Sequence, residues 1–420
     1  MGATATISKW QPRPTPTAMN LSGTAGALVM GTDYRGLGVV RSLGRRGIPV
    51  WVIKQGGHLV AASSRYVLRG VSWPDEDEDR QIDFLLNLAA RHDLQGWMLF
   101  PTDDYAVALI SRHYDVLAAQ YHVTVPPWED LRWACDKRLL YLRADELELH
   151  QPWSAAPRTL EELAALDCPY PVVLKPAVRL RPNSLAIPKA WRADDRGALL
   201  ARYREACAVV APENLMVQEM VPGGGESQFS YAALCRDGCP LASMVVRRVR
   251  QYPMDFGQFS TYVETVDEPQ LVEPAVRLLR SLRFTGLVEV EFKRDLRDRQ
   301  YKVLDVNPRV WGWHTLSKRC GIDFPFFLWL LFNGKPVPEV HGHAGERWIH
   351  MSGDLAAVVR EILRGRLPLP TYLRSLAGPR ESAIFAWDDP LPGLLDLPLF
   401  ACTHGNRILL RNGSTSSGSR

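Results

Sequence analysis

The sequence predicts an α/β protein whose N-terminal part is an open parallel sheet and whose second part is built around a β-hairpin. Three observations carry that expectation. From Ala27 the runs ALVMG, TDYRGLGVVRSLGRRG and IPVWVI read as strand, helix and strand, the opening of a βαβ unit. A helix over 82–91, a strand over 96–101 and a helix after Asp103 continue the alternation to about Pro126. Residues 286–313, GLVEVEFKRDLRDRQYKVLDVNPRVWGW, then set two stretches of period-two alternation around a charged connector, which is the pattern of a hairpin.

A chain of 420 residues is long for one core and implies two or three domains. The net charge is +4 with acids and bases interleaved, so no basic block points to nucleic acid. Seven cysteines, an odd number without metal-ligand spacing, fit a reducing, cytoplasmic setting. The most lipophilic run, FPFFLWLLF over 324–332, is far shorter than the roughly 20 residues of a membrane span. It reads as a buried helix, and no membrane partner is expected. Residues 1–25, rich in Pro, Thr, Ala and Gly, read as a disordered leader, and 412–420 as a flexible polar tail.

Within the first βαβ unit, Gly31, Gly36 and Gly38 have the wrong spacing for a dinucleotide fingerprint, and Lys54 stands where that motif has an acid. They read as shaping a tight turn. Asp103 and Asp104 follow a strand end, where open parallel sheets bind ligands, although N-capping suits at least one of them. A helix from Trp133 carries Lys137 early on, and PVVLKPA from Pro171 is a strand that ends in Lys175. Either a phosphate-binding or a merely exposed lysine fits that position.

After a helix over 199–210, the stretch LMVQEMVPGGGESQFSYAALC reads as strand, turn and strand. Glu219 and Glu226 bracket the turn, where strand-end backbone can meet an adenine rim and a carboxylate can meet ribose hydroxyls. Two solvated acids on a glycine-rich hairpin are the alternative. Period two puts Arg248 and Arg250 on one face of the next strand and Arg247 on the other, a pair able to grip a carboxylate or γ-phosphate or to form a solvated face. In the hairpin, Val288, Val290 and Phe292 share one face, and Leu287, Glu289, Glu291 and Lys293 the other. Leu304 and Val306 likewise alternate with Val303, Asp305, Asn307 and Arg309. Carboxylates and an amide that converge suit Mg²⁺ and therefore nucleotide chemistry. No Ser-His-Asp or Cys-His set stands out, and the lone His314 reads as a packed residue.

Seven motifs in order resemble the ATP-grasp superfamily, and within it the carboxylate–amine ligase branch that includes D-aspartate ligase-like proteins related to biotin carboxylase. They are the DK of Asp136 and Lys137, VLKPA ending at Ala177, KAW at Lys189, QEMVPGG from Gln218, RRVRQYP from Arg247, GLVEVEF from Gly286 and LDVNPRVWGW from Leu304. The resemblance implies a pre-ATP-grasp α/β domain (26–130), a two-lobed α+β ATP-grasp domain (131–340) and a C-terminal extension (341–411). It implies that Lys137 and Lys175 contact the α- and β-phosphates, with Lys189 near the γ-phosphate, and that Gln218, Glu219, Met220 and Val221 form the adenine hinge. Glu226 would hold the ribose. Glu291, Asp305 and Asn307 would bind two Mg²⁺ ions, with Mn²⁺ as a substitute, and Arg309, Arg248 and Arg250 would meet the transferred phosphate.

Two departures stand out. Asp305 occupies a position where the family usually has Glu, and the loop after Lys175 lacks a glycine-rich phosphate cover, leaving Arg179, Arg181 and Lys189 to supply charge. The function so implied is ATP-dependent ligation of a small-molecule carboxylate to an amine through an acylphosphate, in a protein for which a homodimer is the family default. A biotin carboxylase-like carboxylase and a non-catalytic ATP-binding module are the alternatives.

Overall fold

The computed structural model describes residues 25–54, 59–74, 77–178, 189–254, 257 and 259–400. The tail expected over 412–420, the leader before Ala25, and Arg179 and Arg181 lie outside the described residues.

The N-terminal unit is a five-stranded parallel sheet of β1 (Ala27–Met30), β2 (Val50–Lys54), β3 (Arg69–Ser72), β4 (Met98–Pro101) and β5 (His122–Val123), in the order β3-β2-β1-β4-β5. Its helices are α1 (Tyr34–Gly44), α2 (Glu78–His92), α3 (Asp104–Arg112) and α4 (Tyr114–Ala118). Every residue of β1 and β4 is buried, as expected for parallel strands covered on both faces. The strand order reverses between β1 and β4, so the crevice at their C-terminal ends is where ligands of such sheets bind. Gly31 ends β1 with φ +134°, and a Cβ there would lie 2.1 Å from Thr102 Oγ1. This is the tight turn read from the sequence.

The single helix expected from Trp133 is two helices, α5 (Trp128–Cys135) and α6 (Lys137–Glu146). Asp136 breaks the run: its backbone is extended and its carboxylate caps Arg138 N at 2.9 Å, so Lys137 opens a fresh helix. A small antiparallel sheet follows, with β6 (Ser154–Ala155), β7 (Val172–Pro176), β8 (Trp191–Ala193) and β9 (Leu215–Glu219) in the order β6-β9-β7-β8. Helices α7 (Leu160–Ala165) and α8 (Arg196–Cys207) cover it around a core that includes Val172, Leu174, Trp191, Leu199 and Val217.

The third sheet is the largest, with strand order β14-β13-β10-β11-β12-β16-β17 and β15 joined to β11. Its strands are β10 (Gln228–Arg236), β11 (Cys239–Tyr252), β12 (Phe259–Thr265), β13 (Gly286–Arg294), β14 (Tyr301–Asn307), β15 (Val340–His341), β16 (Arg347–Ile349) and β17 (Glu381–Ser382). Helix α9 (Val272–Ser281) precedes the hairpin. Helix α10 (Phe324–Phe332), the lipophilic run, joins Val29, Leu37 and Val50 of the first unit to Ala232 and Leu234 of the large sheet, and to Trp311 after β14, in one core. It is a buried helix, as expected. Helices α11 (Met351–Leu363) and α12 (Leu369–Ser375) follow β16, and a further helical stretch over 391–400 comes after β17.

The hairpin forms as expected, with Glu289 opposite Asn307 and Glu291 opposite Asp305. Val288, Val290 and Phe292 are fully buried in the core. Strict alternation fails at one point. A bulge between Glu291 and Phe292 pairs Phe292 with Val303, so Val303 and Val306 both enter the core and Leu304 is left half-buried.

Candidate functional site

The polar faces of β13 and β14 look into a cleft between the large sheet and the small one. Asn307 donates to Glu289 Oε2 at 3.1 Å and Glu291 Oε1 at 3.0 Å, while its oxygen accepts from Arg309 at 3.2 Å. Glu289 is buried and also accepts from Trp313 Nε1 at 3.0 Å. Burial, together with the neighbouring Glu291, raises the Glu289 pKa. Burial acts on Glu291 in the same sense, but Arg248 and Lys189 outweigh it and hold that carboxyl below its usual range. Glu289 is a candidate-site residue that the sequence pattern put on the polar face but that was not among the metal-site candidates. Its signal was the same alternation that picked out Glu291.

Among the described residues no three His, Cys, Asp or Glu side chains stand ready to hold a metal by themselves. The donor set is nonetheless that of Mg²⁺: hard oxygens from a few carboxylates, with a shell completed by water and phosphate. A cation at the two glutamates requires the Asn307 amide to turn its oxygen toward them.

Cations surround these acids. Lys137 Nζ donates to Asp305 Oδ1 at 2.9 Å, and Lys137 N to Ala177 O at 3.2 Å, which ties α6 to the end of β7. Lys175 donates to Gln218 Oε1 at 2.7 Å, and Gln218 in turn donates to Tyr141 OH at 2.6 Å, which donates to Leu304 O at 2.9 Å. Burial, reinforced by Lys137 and opposed by Asp305, pushes the Lys175 pKa down to about 7. Lys189 donates to Gly257 O at 2.7 Å. Arg248 lies 3.5 Å from Glu291 and donates to Gln228 at 2.8 Å and Gln251 at 3.1 Å.

Arg309 is reached from the N-terminal unit. Its Nε donates to Asp104 Oδ1 at 2.5 Å and its Nη2 to Asp104 Oδ2 at 3.3 Å. Asp103 caps α3 through Ala106 N at 2.8 Å. The two strand-end aspartates therefore divide the roles read for them: one caps a helix, and the other reaches the cleft.

Other expected site residues stand elsewhere or are already engaged. Arg250 does not join Arg248. A register shift in β11 between Arg248 and Arg250 breaks the period-two rule on which the pairing rested. Arg250 instead donates two buried hydrogen bonds to Asp354 at 2.8 and 2.7 Å, donates to Ser375 at 3.0 Å, and lies over the ring of Tyr262 at 4.3 Å. Glu219 turns to Lys302 at 2.7 Å and Arg297 at 2.8 Å, and the N–H groups of Glu219 and Met220 go to Trp153 and Pro171 carbonyls. Val221 is buried just after β9. Glu226 is exposed and accepts from Gly224 N at 3.0 Å. His314 is fully buried, and burial lowers its pKa to about 4, so it is a packed neutral residue.

Residues 212–349, from the approach to β9 through β16, match the family model described as ATP-grasp in the biosynthetic pathway with Ter operon. No curated protein sequence matches the chain. Among solved structures, an L-amino acid ligase from Bacillus licheniformis is similar at a TM-score of 0.60 and 17% identity, over 78% of this chain and 79% of that one. N5-carboxyaminoimidazole synthetase from Staphylococcus aureus complexed with ADP is similar at 0.61 and 12%, over 83% and 88%. A biotin carboxylase from Campylobacter jejuni, in complex with a β,γ-ATP compound, is similar at 0.59 and 14%, over 76% and 74%. The fold is the ATP-grasp fold. The resemblance to the ATP-grasp superfamily drawn from seven short motifs is borne out by the family model over the residues it matches and by the shared fold of these structures.

Proposed function

We propose that the protein is an ATP-dependent carboxylate–amine ligase that forms an amide or peptide-like bond through an acylphosphate. The observation that carries this reading is the convergence of Lys137, Arg248 and Arg309 with Glu289, Glu291, Asp305 and Asn307 in one cleft. In this reading residues 26–130 are the pre-ATP-grasp domain, 131–340 the ATP-grasp domain and 341–411 an extension. Lys137, Lys175 and Lys189 hold the phosphates. Because the side chain of Gln218 is committed to Lys175, that of Glu219 to its ion pairs, and the N–H groups of Glu219 and Met220 to carbonyls, adenine would be met by the remaining backbone groups between Glu219 and Val221, with Glu226 at the ribose.

The substrate carboxylate is a poor electrophile. Its oxygen attacks the γ-phosphorus, ADP leaves, and the amine then displaces phosphate from the acylphosphate with loss of a proton. The side chains position the reactants and offset charge on the phosphoryl oxygens, which falls to Arg309 and Arg248. Mg²⁺, held by Glu289, Glu291, Asp305 and Asn307, would supply further charge neutralisation at those oxygens. Two ions, with Mn²⁺ as a substitute, remain part of the proposal. The described cysteines are all unbridged, which supports a reducing, cytoplasmic setting.

One observation favours a second reading. Asp305 is a short acid whose Oδ1 is already bonded to Lys137, an arrangement suited to a nucleotide-binding module without turnover. Incubation with Mg-ATP and a panel of amino acids, with ADP and phosphate measured, separates the two. Acceptor-stimulated release is expected; ATP binding with no stimulated release by any acid and amine pair overturns the ligase reading. A carboxylase related to biotin carboxylase would instead show bicarbonate-dependent release.

A further inference from the structure

Among the described residues, helices α11 and α12 expose an apolar and cationic surface. Helix α11 turns Leu355, Val359 and Leu363 outward at i, i+4 and i+8, with 37%, 52% and 82% exposure, so they form one row along the helix. Leu369 and Leu373 of α12 are exposed as well, at 51% and 56%. The other side of α11 is committed, since Asp354, Ala357 and Val358 are buried where the helix packs on β11 and β12. The charge is one-sided as well. From Leu355 to Arg380 the basic residues are Arg360, Arg364, Arg366, Arg374 and Arg380, all exposed. The one acid in that stretch, Glu361, is buried and lies 3.4 Å from Arg364 and 3.7 Å from Arg366.

We propose that this helix pair docks the protein on an anionic lipid bilayer. Leucine and valine side chains on the outer face suit the boundary between headgroups and acyl chains, and the guanidinium groups among them suit lipid phosphates. A second copy of the chain is a poorer occupant, because a two-fold contact through this patch would set the arginines against one another. The contact is peripheral. It agrees with the finding that, among the described residues, no helix is long and apolar enough to cross a membrane. It departs from the sequence reading, which weighed only spans and expected no membrane partner.

The test is co-sedimentation of the full chain with vesicles of phosphatidylcholine alone and of phosphatidylcholine with an equal part of phosphatidylglycerol. Binding to the anionic vesicles is expected to be at least tenfold stronger, to weaken with added salt, and to fall at least fivefold in Leu363→Asp and in Arg374→Glu. Neither residue belongs to the cleft, so thermal unfolding and nucleotide affinity of both variants should be unchanged, which shows that they fold. Equal or absent binding to the two vesicle types overturns the proposal, as does binding that ignores both substitutions. A dimer that Leu363→Asp dissolves would assign the surface to a second copy, and saturable binding to soluble polyglutamate without vesicle binding would assign it to an acidic protein; either result overturns the lipid reading.

Discussion

At the scale of single residues, Lys175 and Asp104 have the sharpest consequences. Lys175 is held near a pKa of 7 chiefly by burial, and a bound triphosphate would favour its ammonium form. Nucleotide binding is then accompanied by proton uptake above that pH. Affinity should be flat below about pH 7 and fall as pH rises toward the higher pKa of the complex, and Lys175→Arg should flatten the profile in a calorimetric titration. Asp104 sits outside the motifs yet makes the two-point contact to Arg309. In Asp104→Asn, Arg309 loses its charged anchor, and kcat is expected to drop roughly 10- to 100-fold with nucleotide affinity retained. Rescue by Asp104→Glu would show that the charge, and not the local packing, is what matters. The alternation of acids in the hairpin was readable from the sequence, but nothing in a one-dimensional pattern shows which strand end faces Arg309 from another unit.

At the scale of elements, bulges decide what sequence could not. Period two correctly placed Glu291, Asp305 and Asn307 on polar faces, and it failed where a strand changes register. In β14 the irregularity sends Val303 inward, and in β11 it separates Arg248 from Arg250. Arg250 thereby becomes the anchor of α11, paired with the fully buried Asp354. Removing one partner of such a pair leaves an uncompensated buried charge and costs about 3–5 kcal/mol. Arg250→Met should therefore lower the unfolding free energy in urea by that order and leave ATP affinity intact well below the transition. Arg248→Met should instead abolish turnover, because Arg248 faces Glu291, with some loss of stability as well since that pair is also largely buried.

At the scale of the whole molecule, the units are held together by contacts that no local pattern announces. Residues after β17 return to the N-terminal unit, where Asp389 accepts from Arg41 at 2.9 Å, Ser64 at 2.7 Å and Arg65 N at 3.0 Å, all in or near the core. Asp389→Ala should destabilise the protein by about 3–5 kcal/mol in a chemical unfolding experiment, far more than an exposed ion pair would. The order of strands and helices was legible because each element carries its own period and caps. The buried α10 was legible from its length and composition. The shared core that α10 builds between the first sheet and the large one was not, since it depends on which apolar faces meet.

The measurement that tests the central claim most directly uses a carboxylate substrate labelled with heavy oxygen, incubated with Mg-ATP, an amine and the protein, followed by mass analysis of the released phosphate. An acylphosphate route carries one labelled oxygen from the acid into each phosphate formed alongside the amide. Phosphate released without label would contradict the account, because it would mean that water, and not the carboxylate, took the phosphoryl group.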